Sequence, residues 1–198
     1  MLDLPAFQSF PRRLAFPSEH ARAGLSADCR RVFTARAMGE GDSESEGCTY
    51  WLPRGSRPRC ALEQLVGELF DWHAARLGLE MTHDLSEAGS EWWTLWLDGE
   101  DDSVGWHRDA DYAARGRGEV RHPLLATVTY LEAGGSSAPT VVLEEPPEQA
   151  GDASPGCIVR AAHASAPLPG KHVCFDGRLL HAALPELKPL FEGGAAGE

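Results

Sequence analysis

The sequence lacks the signatures of several large classes of protein. Its five cysteines are an odd number and include no Cys-x-x-Cys pair, so we expect neither a disulfide framework nor a cysteine-type zinc site. No apolar run approaches about 18 residues and no apolar segment follows the first residues, so neither a membrane span nor a secretory signal is predicted. A P-loop, a Gly-x-Gly-x-x-Gly fingerprint and a serine-nucleophile elbow are also missing, which leaves nucleotide-binding and serine-hydrolase chemistry without support.

Positive charge is scarce as well. Lysine and arginine total 18 against 30 aspartate and glutamate residues, which gives a formal net charge of −12. This balance argues against nucleic acid or an anionic membrane as the partner. The cysteine usage and the absence of a signal predict a cytoplasmic protein, although six arginines among residues 1–37 leave an organellar transit peptide open. The sequence does not determine the oligomeric state.

The length predicts a single compact domain. A chain of 198 residues can bury a hydrophobic core without disulfides or a structural metal. Its 21 glycines and 14 prolines predict many turns and short elements. We expect residues 1–90 to form an N-terminal arm and supporting helices, and residues 91–198 to form a β-rich core. Together these parts make an α+β fold.

Hydrophobic periodicity predicts one long helix in the N-terminal part. From about Cys60 to Leu77, apolar residues recur at the spacing of one helical face, and Gly78 follows as a stop signal. One or two shorter helices are expected between residues 18 and 38, with Ser26 as an N-cap and Gly39 as the stop. We expect these helices to support the β-rich part.

Short β-prone segments dominate after residue 90. They are separated by turn signals rich in glycine, proline and serine, a spacing that is typical of a sandwich or barrel. The predicted strands are residues 92–97, 124–131, 140–143, 157–159, 172–175 and 179–181.

The residues best suited to chemistry are His107, Asp109 and His181. Alternate residues of a strand point to the same face, so His107 and Asp109 can reach one metal ion together. His181 ends the last predicted strand and supplies a third ligand. Two histidines and one carboxylate form a facial triad, which leaves coordination positions open and suits non-haem Fe(II). The motif therefore predicts a metal centre.

Other residues compete for these roles. His122, His163 and His172 are alternative third ligands, although a structural role is favoured for each of them. Asp111 extends the motif to His-x-Asp-x-Asp and competes with Asp109, but a solvent-facing loop position is the favoured interpretation.

A wider pattern of residues surrounds the metal motif. Its segments are spread over residues 91–187 and comprise Glu91-Trp92-Trp93, Gly105-Trp106-His107-Arg108-Asp109, Thr127 to Leu131, Ala138-Pro139-Thr140, Pro169-Gly170-Lys171 and Phe175 to His181. Together they resemble the Fe(II)/2-oxoglutarate-dependent dioxygenases, and especially the prolyl-4-hydroxylase-like members. In those members a Thr-x-x-Tyr-Leu strand follows the His-x-Asp motif, and a glycine precedes the strand that leads to the distal histidine.

The resemblance implies a double-stranded β-helix, or jelly-roll, core in which His107, Asp109 and His181 hold Fe(II) as the catalytic centre. It implies 2-oxoglutarate as co-substrate and O2 as oxidant, with succinate and CO2 formed beside a hydroxylated product. Tyr130 and Thr140 are expected, by the same resemblance, to hydrogen-bond 2-oxoglutarate. The expected substrate is a small molecule or a peptidyl group that the sequence does not identify, and prolyl, other peptidyl, nucleobase and small-metabolite hydroxylation all stay open.

One residue that the family uses is not evident. Members carry an arginine or lysine on a last strand after the distal histidine, where it binds the far carboxylate of 2-oxoglutarate. Residues 182–198 contain one base, Lys188, and no evident strand, while Arg178 lies before His181 with the opposite strand parity. Three explanations stay open. The chain lacks its last strand, Arg178 or Lys188 replaces the missing base, or the protein binds a metal ion without turnover.

Two further interpretations stay open. A cupin-like metal enzyme would hold iron, manganese or zinc on the same ligands without 2-oxoglutarate, and a jelly-roll binding module would have no catalytic metal. Convergence of the three side chains separates the binding module from the other two. Because metal–ligand distances are near 2 Å, the ligand atoms of a metal centre should lie within about 4 Å of one another.

Overall fold

The described part of the chain forms two compact units. The structure, a computed structural model, describes residues 4–14, 18–31, 49–96, 103–111, 114, 117–133, 138–146 and 158–192. Residues 18–31 and 49–96 form one of the units, called here the helical unit. The other described residues form the second, called the β unit.

Strands outnumber helices among the elements. The strands are β1 (Phe7–Phe10), β2 (Tyr50–Pro53), β3 (Gly89–Trp92), β4 (Val104–His107), β5 (Leu125–Thr129), β6 (Thr140–Glu144), β7 (Ala161–Ser165), β8 (His172–Asp176) and β9 (His181–Ala183). The helices are α1 (Glu19–Arg31), α2 (Ala61–Leu77), α3 (Leu79–Thr82) and α4 (Pro189–Glu192), and a 3-10 turn covers Pro185–Leu187.

The helical unit contains α1, α2, α3 and the antiparallel pair of β2 and β3, between which α2 and α3 lie in the sequence. Helix α2 confirms the predicted long helix, since it begins after Cys60 and ends before Gly78. Gly78 has a φ of 62°, and its N–H bonds to carbonyl oxygens of the last turn. Such a left-handed position favours glycine and stops the helix. No helix in the described residues is long and apolar enough to cross a membrane.

The prediction for the first helix was wrong at its start. Ser26 is buried inside α1 and does not cap it. The first turn is capped by Ser18, whose Oγ accepts the N–H of Ala21 at 3.1 Å. Each serine is followed within two residues by an acid, Glu19 or Asp28, which is typical of a first helical turn, so the sequence pattern alone did not separate the two positions. The predicted end at Gly39 lies outside the described residues.

Two antiparallel sheets make up the β unit. One has three strands in the order β1-β8-β5, and the other has four in the order β4-β9-β6-β7. Helices together with antiparallel sheets confirm the predicted α+β class.

Side chains from the two sheets share one core. Ala126 and Phe175 from the three-stranded sheet pack with Val142 from the four-stranded sheet and with Leu179. The ring of Phe7 stacks on His163 with centroids 5.1 Å apart, which joins β1 to β7. One face of each sheet is therefore turned toward the other sheet.

Strands β5, β6 and β8 fall on predicted segments, but three other predictions were displaced. Among the described residues of 92–97, Trp92 alone is in a strand, at the end of β3, and the strand predicted at residues 179–181 begins only at His181. Ile158 and Val159, the described part of the strand predicted at residues 157–159, are not in a strand, and β7 begins at Ala161. The β7 sequence Ala-Ala-His-Ala-Ser lacks β-branched residues, so its own propensity gives little signal. Its strand conformation comes from pairing with β6, where Thr140 opposes Ser165.

Candidate metal centre

Two neighbouring strands bring His107 and His181 together. His107 is the last residue of β4, His181 is the first of β9, and the two are direct partners in this antiparallel pair. Directly opposed residues project on the same face of a sheet. Their ring centroids are 4.2 Å apart.

Asp109 completes the group from just beyond the end of β4. One of its carboxylate oxygens, Oδ1, lies 3.6 Å from Nε2 of His107 and 3.7 Å from Nε2 of His181. The three ligand atoms lie within 4.8 Å of one another. Ligands of a single ion at about 2 Å would be closer, so binding would draw the side chains together by roughly 1 Å. The group can hold a metal ion.

Backbone carbonyls set the orientation of both imidazole rings. Nδ1 of His107 lies 2.8 Å from the carbonyl oxygen of Gly105, and Nδ1 of His181 lies 3.1 Å from that of Leu179. A carbonyl oxygen accepts only, so each Nδ1 carries the proton and each Nε2 keeps its lone pair. Both Nε2 atoms are turned toward Asp109. Second partners of this kind fix the tautomer and the ring orientation of histidine ligands.

The electrostatic surroundings favour the neutral form of His181. The side chain is buried, and desolvation is the main cause that lowers its pKa below the ordinary value of 6.5. The Asp109 carboxylate opposes this shift, while His107 and Arg108 add to it. His181 is therefore unprotonated at neutral pH, which is the form that binds a metal.

The ion pair between Arg108 and Glu145 anchors the ligand segment. Arg108 lies between the two ligands in sequence and donates from two nitrogens to the two oxygens of Glu145, each at 2.7 Å. It also donates to the carbonyl oxygen of Arg178 at 2.5 Å. The Glu145 side chain is only 1% exposed, so this pair is buried. The sequence analysis missed it, and the unusual charge between two ligands was its only local signal.

The competing residues have other partners. Nδ1 of His122 lies 2.7 Å from the carbonyl oxygen of Asp109, so His122 bonds to the backbone of this ligand and not to the metal site. The carboxylate of Asp111 accepts the N–H of Ala114 at 2.8 Å and lies outside the ligand group. Nε2 of His163 lies 3.0 Å from Glu144.

His172, the remaining alternative, is fully buried in the core of the β unit. Its Nδ1 lies 2.7 Å from the hydroxyl of Thr129, its direct partner on β5. Of the four candidate third ligands, His181 is the one that reaches Asp109 and His107.

Of the four residues expected to bind 2-oxoglutarate, Tyr130 and Thr140 lie together. The Tyr130 hydroxyl lies 2.8 Å from that of Thr140, and both side chains are buried. Arg178, in contrast, is ion-paired with Asp176 at 2.6 Å and is partly exposed. Lys188 follows the 3-10 turn Pro185–Leu187. The structure thus joins Tyr130 and Thr140, and it pairs Arg178 with an acid.

Comparisons with known proteins assign no family. No protein-family model matches the chain. A search of curated proteins finds no similar sequence.

Proposed function

We propose that this chain is an Fe(II)- and 2-oxoglutarate-dependent dioxygenase that hydroxylates a small-molecule or peptidyl substrate on a jelly-roll core. The observation that supports it is the meeting of His107, Asp109 and His181 with both histidine Nε2 atoms turned toward the carboxylate. The resemblance of the surrounding sequence motifs to that family supports the reaction type.

The donor set favours iron among common metals. Two imidazole nitrogens and one carboxylate oxygen from one side of an ion leave positions on the other side for further ligands. Structural zinc sites, by contrast, usually fill all four positions with protein ligands. Bound Fe(II) with 2-oxoglutarate and O2 would supply the oxidising power for hydroxylation, with succinate and CO2 as co-products.

The residues of the chain orient the metal ligands and limit the access of water to them. His107 and His181 are held by a strand pair and by carbonyl acceptors, so little reorganisation is needed when an ion binds. Asp109 contributes the negative charge that offsets part of the charge of a dication. The Arg108–Glu145 pair ties the Asp109 segment to the end of β6. Burial of His181 keeps this ligand away from water.

The strand order supports the jelly-roll part of the proposal. Antiparallel sheets of three and four strands are turned toward each other, and strands distant in sequence alternate within each sheet. The metal ligands lie on the face of the four-stranded sheet that contributes to the shared core, because His181 opposes Val142. Jelly rolls place metal and ligand sites inside such a pair of sheets.

Metal binding is the first test. Cobalt(II) added to the full chain is expected to give a visible absorption spectrum that saturates at one equivalent. His181→Ala and Asp109→Ala are each expected to weaken this binding by more than about 100-fold, since each removes a direct ligand. His83→Ala is the matched control, because His83 is exposed in the helical unit and bonds to Thr82. Equal binding by all four proteins would exclude the centre.

Turnover is the second test. With Fe(II), 2-oxoglutarate and O2, the wild-type chain is expected to release succinate, and His107→Ala or Asp109→Ala is expected to abolish the release. Succinate release that survives both substitutions rules out this site as the source. Metal binding with no 2-oxoglutarate turnover would indicate a cupin-like metal enzyme. Absence of metal binding would indicate a binding module without a catalytic metal.

A further inference from the structure

A second polar cluster lies on the facing sides of the two sheets. The Tyr130 hydroxyl lies 2.8 Å from Thr140 Oγ1 and donates to the carbonyl oxygen of Ser165 at 3.2 Å. All three residues are buried, and Thr140 opposes Ser165 across β6 and β7. Three hydroxyl groups are therefore gathered in the core, a place where apolar side chains would ordinarily pack.

The hydroxyl of Ser165 is unusual within this cluster. Ser165 is 2% exposed, and its Oγ has no hydrogen-bond partner in the part of the chain that the structure describes. A buried hydroxyl without a partner destabilises the fold, so such atoms in native proteins usually have a functional or ligand-related explanation. An acceptor group brought between the sheets would satisfy it.

Lys171 is the backbone partner of Tyr130, and its Nζ bonds to the carbonyl oxygen of Ala166, the residue after Ser165. The N–H of Tyr130 bonds to the carbonyl oxygen of Lys171 at 3.0 Å, and the N–H of Gly170 bonds to that of Tyr130 at 2.8 Å. Two residues therefore oppose one, which is the pattern of a β-bulge. Gly170 has a φ of 82°, the left-handed conformation that such bulges require at their first position. Bulges of this kind redirect a side chain near functional sites.

The charge of Lys171 is not neutralised by an acid. Its Nζ donates to the carbonyl oxygen of Ala166 at 2.9 Å, and it takes part in no ion pair with a described residue. The side chain is half-buried, and this desolvation lowers the pKa of the ammonium group. An anion beside it would offset the desolvation cost. Arg108 and Arg178, in contrast, are already paired with Glu145 and Asp176.

Strand register relates Lys171 to the metal centre. Phe175 of β8 contacts His181 with ring centroids 4.8 Å apart. Lys171 directly precedes β8 and continues its pairing through the bond to Tyr130, so alternation puts Lys171 on the same face as Phe175. On the opposite sheet, Thr140 lies two residues from Val142, the direct partner of His181. The hydroxyl cluster is therefore displaced by roughly 7 Å along the strands from the histidine, at about 3.4 Å per residue.

We propose that Lys171, with the hydroxyls of Tyr130, Thr140 and Ser165, binds the far carboxylate of 2-oxoglutarate, while the 2-oxo acid end of that molecule faces the metal ligands. This inference rests on the proposed function. It assigns the cation to the residue directly before β8, whereas the sequence analysis expected Arg178 or Lys188. A charge-assisted bond to a carboxylate in a buried place supplies both affinity and selection for a dicarboxylate.

Calorimetry on the cobalt-loaded full chain tests the assignment with two ligands. 2-Oxoglutarate has the far carboxylate, and 2-oxobutanoate has the same 2-oxo acid end without it. Lys171→Met is expected to weaken 2-oxoglutarate binding roughly 10- to 100-fold and to leave 2-oxobutanoate binding and cobalt binding unchanged. Lys171→Arg is expected to recover most of the loss. Lys188→Met is the matched control, since Lys171 and Lys188 are the two lysines of the chain.

Ser165→Ala separates binding from folding. Removal of an unpartnered buried hydroxyl is expected to keep or raise the unfolding temperature, while 2-oxoglutarate binding weakens a few-fold. An equal loss for both ligands in Lys171→Met, or a loss in Lys188→Met alone, would overturn the assignment of Lys171.

Amine labelling gives an independent measurement on the wild-type chain. 2-Oxoglutarate is expected to protect Lys171 from acylation, as read by peptide mass spectrometry, and to leave Lys188 unprotected. Unchanged labelling of Lys171 at saturating 2-oxoglutarate contradicts the assignment even if binding occurs. If cobalt binds but 2-oxoglutarate does not, the proposed function and this subsite fail together. If 2-oxoglutarate binds equally to wild type and Lys171→Met, only the subsite fails.

Discussion

His107 and His181 are direct partners across two antiparallel strands, and each bonds through Nδ1 to the carbonyl oxygen of the residue two positions before it. The two ligands are therefore oriented by the same local device on two different strands. Because this orientation comes from the strand pair and the carbonyl acceptors, both Nε2 atoms face Asp109 before an ion binds.

A divalent ion is expected to stabilise the chain in a pH-dependent manner. At about 100 times its dissociation constant, an ion that binds only the folded state adds about 2.7 kcal/mol to the free energy of unfolding. The folded pKa of His181 is below the ordinary 6.5, so the folded state releases this proton more readily than the unfolded state does. A protonated His181 cannot bind the ion, so the benefit should be full above pH 6.5 and be lost as the pH falls through the lower, folded pKa of this histidine.

Thermal unfolding with and without cobalt at several pH values measures this effect. His181→Ala should unfold at the same temperature with and without the ion at every pH. A stabilisation by cobalt that persists in His181→Ala would contradict the assignment of the ligand.

Arg108→Met is expected to lower the free energy of unfolding by about 3–5 kcal/mol, because it leaves the buried Glu145 carboxylate without its partner. Urea unfolding of the metal-free chain measures the loss. In Arg108→Met/Glu145→Leu both charges are gone, so the loss should be much smaller. If the double variant is as unstable as the single one, packing rather than charge explains the effect.

Glu63 is expected to make the stability sensitive to acid. Its side chain is 1% exposed and accepts from Nε of Arg59 at 2.7 Å and from the N–H of Arg59 at 2.6 Å. The bond from the Arg59 side chain is the main cause that lowers the pKa of Glu63 below 4.5. A folded pKa below the unfolded one means stability that is present above about pH 4.5 and is lost as the pH falls through the folded value.

Glu63→Gln should therefore flatten the acid limb of the plot of unfolding free energy against pH. It should also destabilise the chain at neutral pH by about 1.5–3 kcal/mol, the range for hydrogen bonds to charged groups. Glu68→Gln, an exposed position on the same helix, is the control and should change neither quantity appreciably. Identical acid limbs for wild type and Glu63→Gln would rule out this group as the cause.

Two glycines should respond in opposite directions to alanine. A Cβ at Gly177 would overlap the carbonyl oxygen and ring of Pro123, so Gly177→Ala is expected to cost about 1–3 kcal/mol through forced backbone movement. A Cβ at Gly67, within α2, meets no atom within 4 Å. Gly67→Ala should stabilise the chain by up to about 1 kcal/mol, the helix propensity difference. Melting temperatures check both, and a shift of the same sign in both variants would contradict the prediction.

Local patterns predicted some elements well and others poorly. Helix α2 was predictable because its apolar periodicity and its terminal glycine act on the same segment. Strand β7 was misplaced because Ala161–Ser165 has little intrinsic strand preference and adopts its conformation only against β6. The start of α1 was missed because two serines have similar capping signals in the sequence. In the structure Ser18 caps the helix, and Ser26 is buried within it.

The sequence by itself determined the class of site: a His-x-Asp pair two residues apart, a distal histidine, and an acidic chain with few lysines. Tertiary structure decided which histidine completes the group, since pairing of β4 with β9 brings His181, and not His122, His163 or His172, to Asp109. Pairing of Tyr130 with the bulge at Gly170 likewise joined the backbone of Lys171 to that of Tyr130. The physical reason is that strand register joins residues far apart in the chain, and local preference does not specify register.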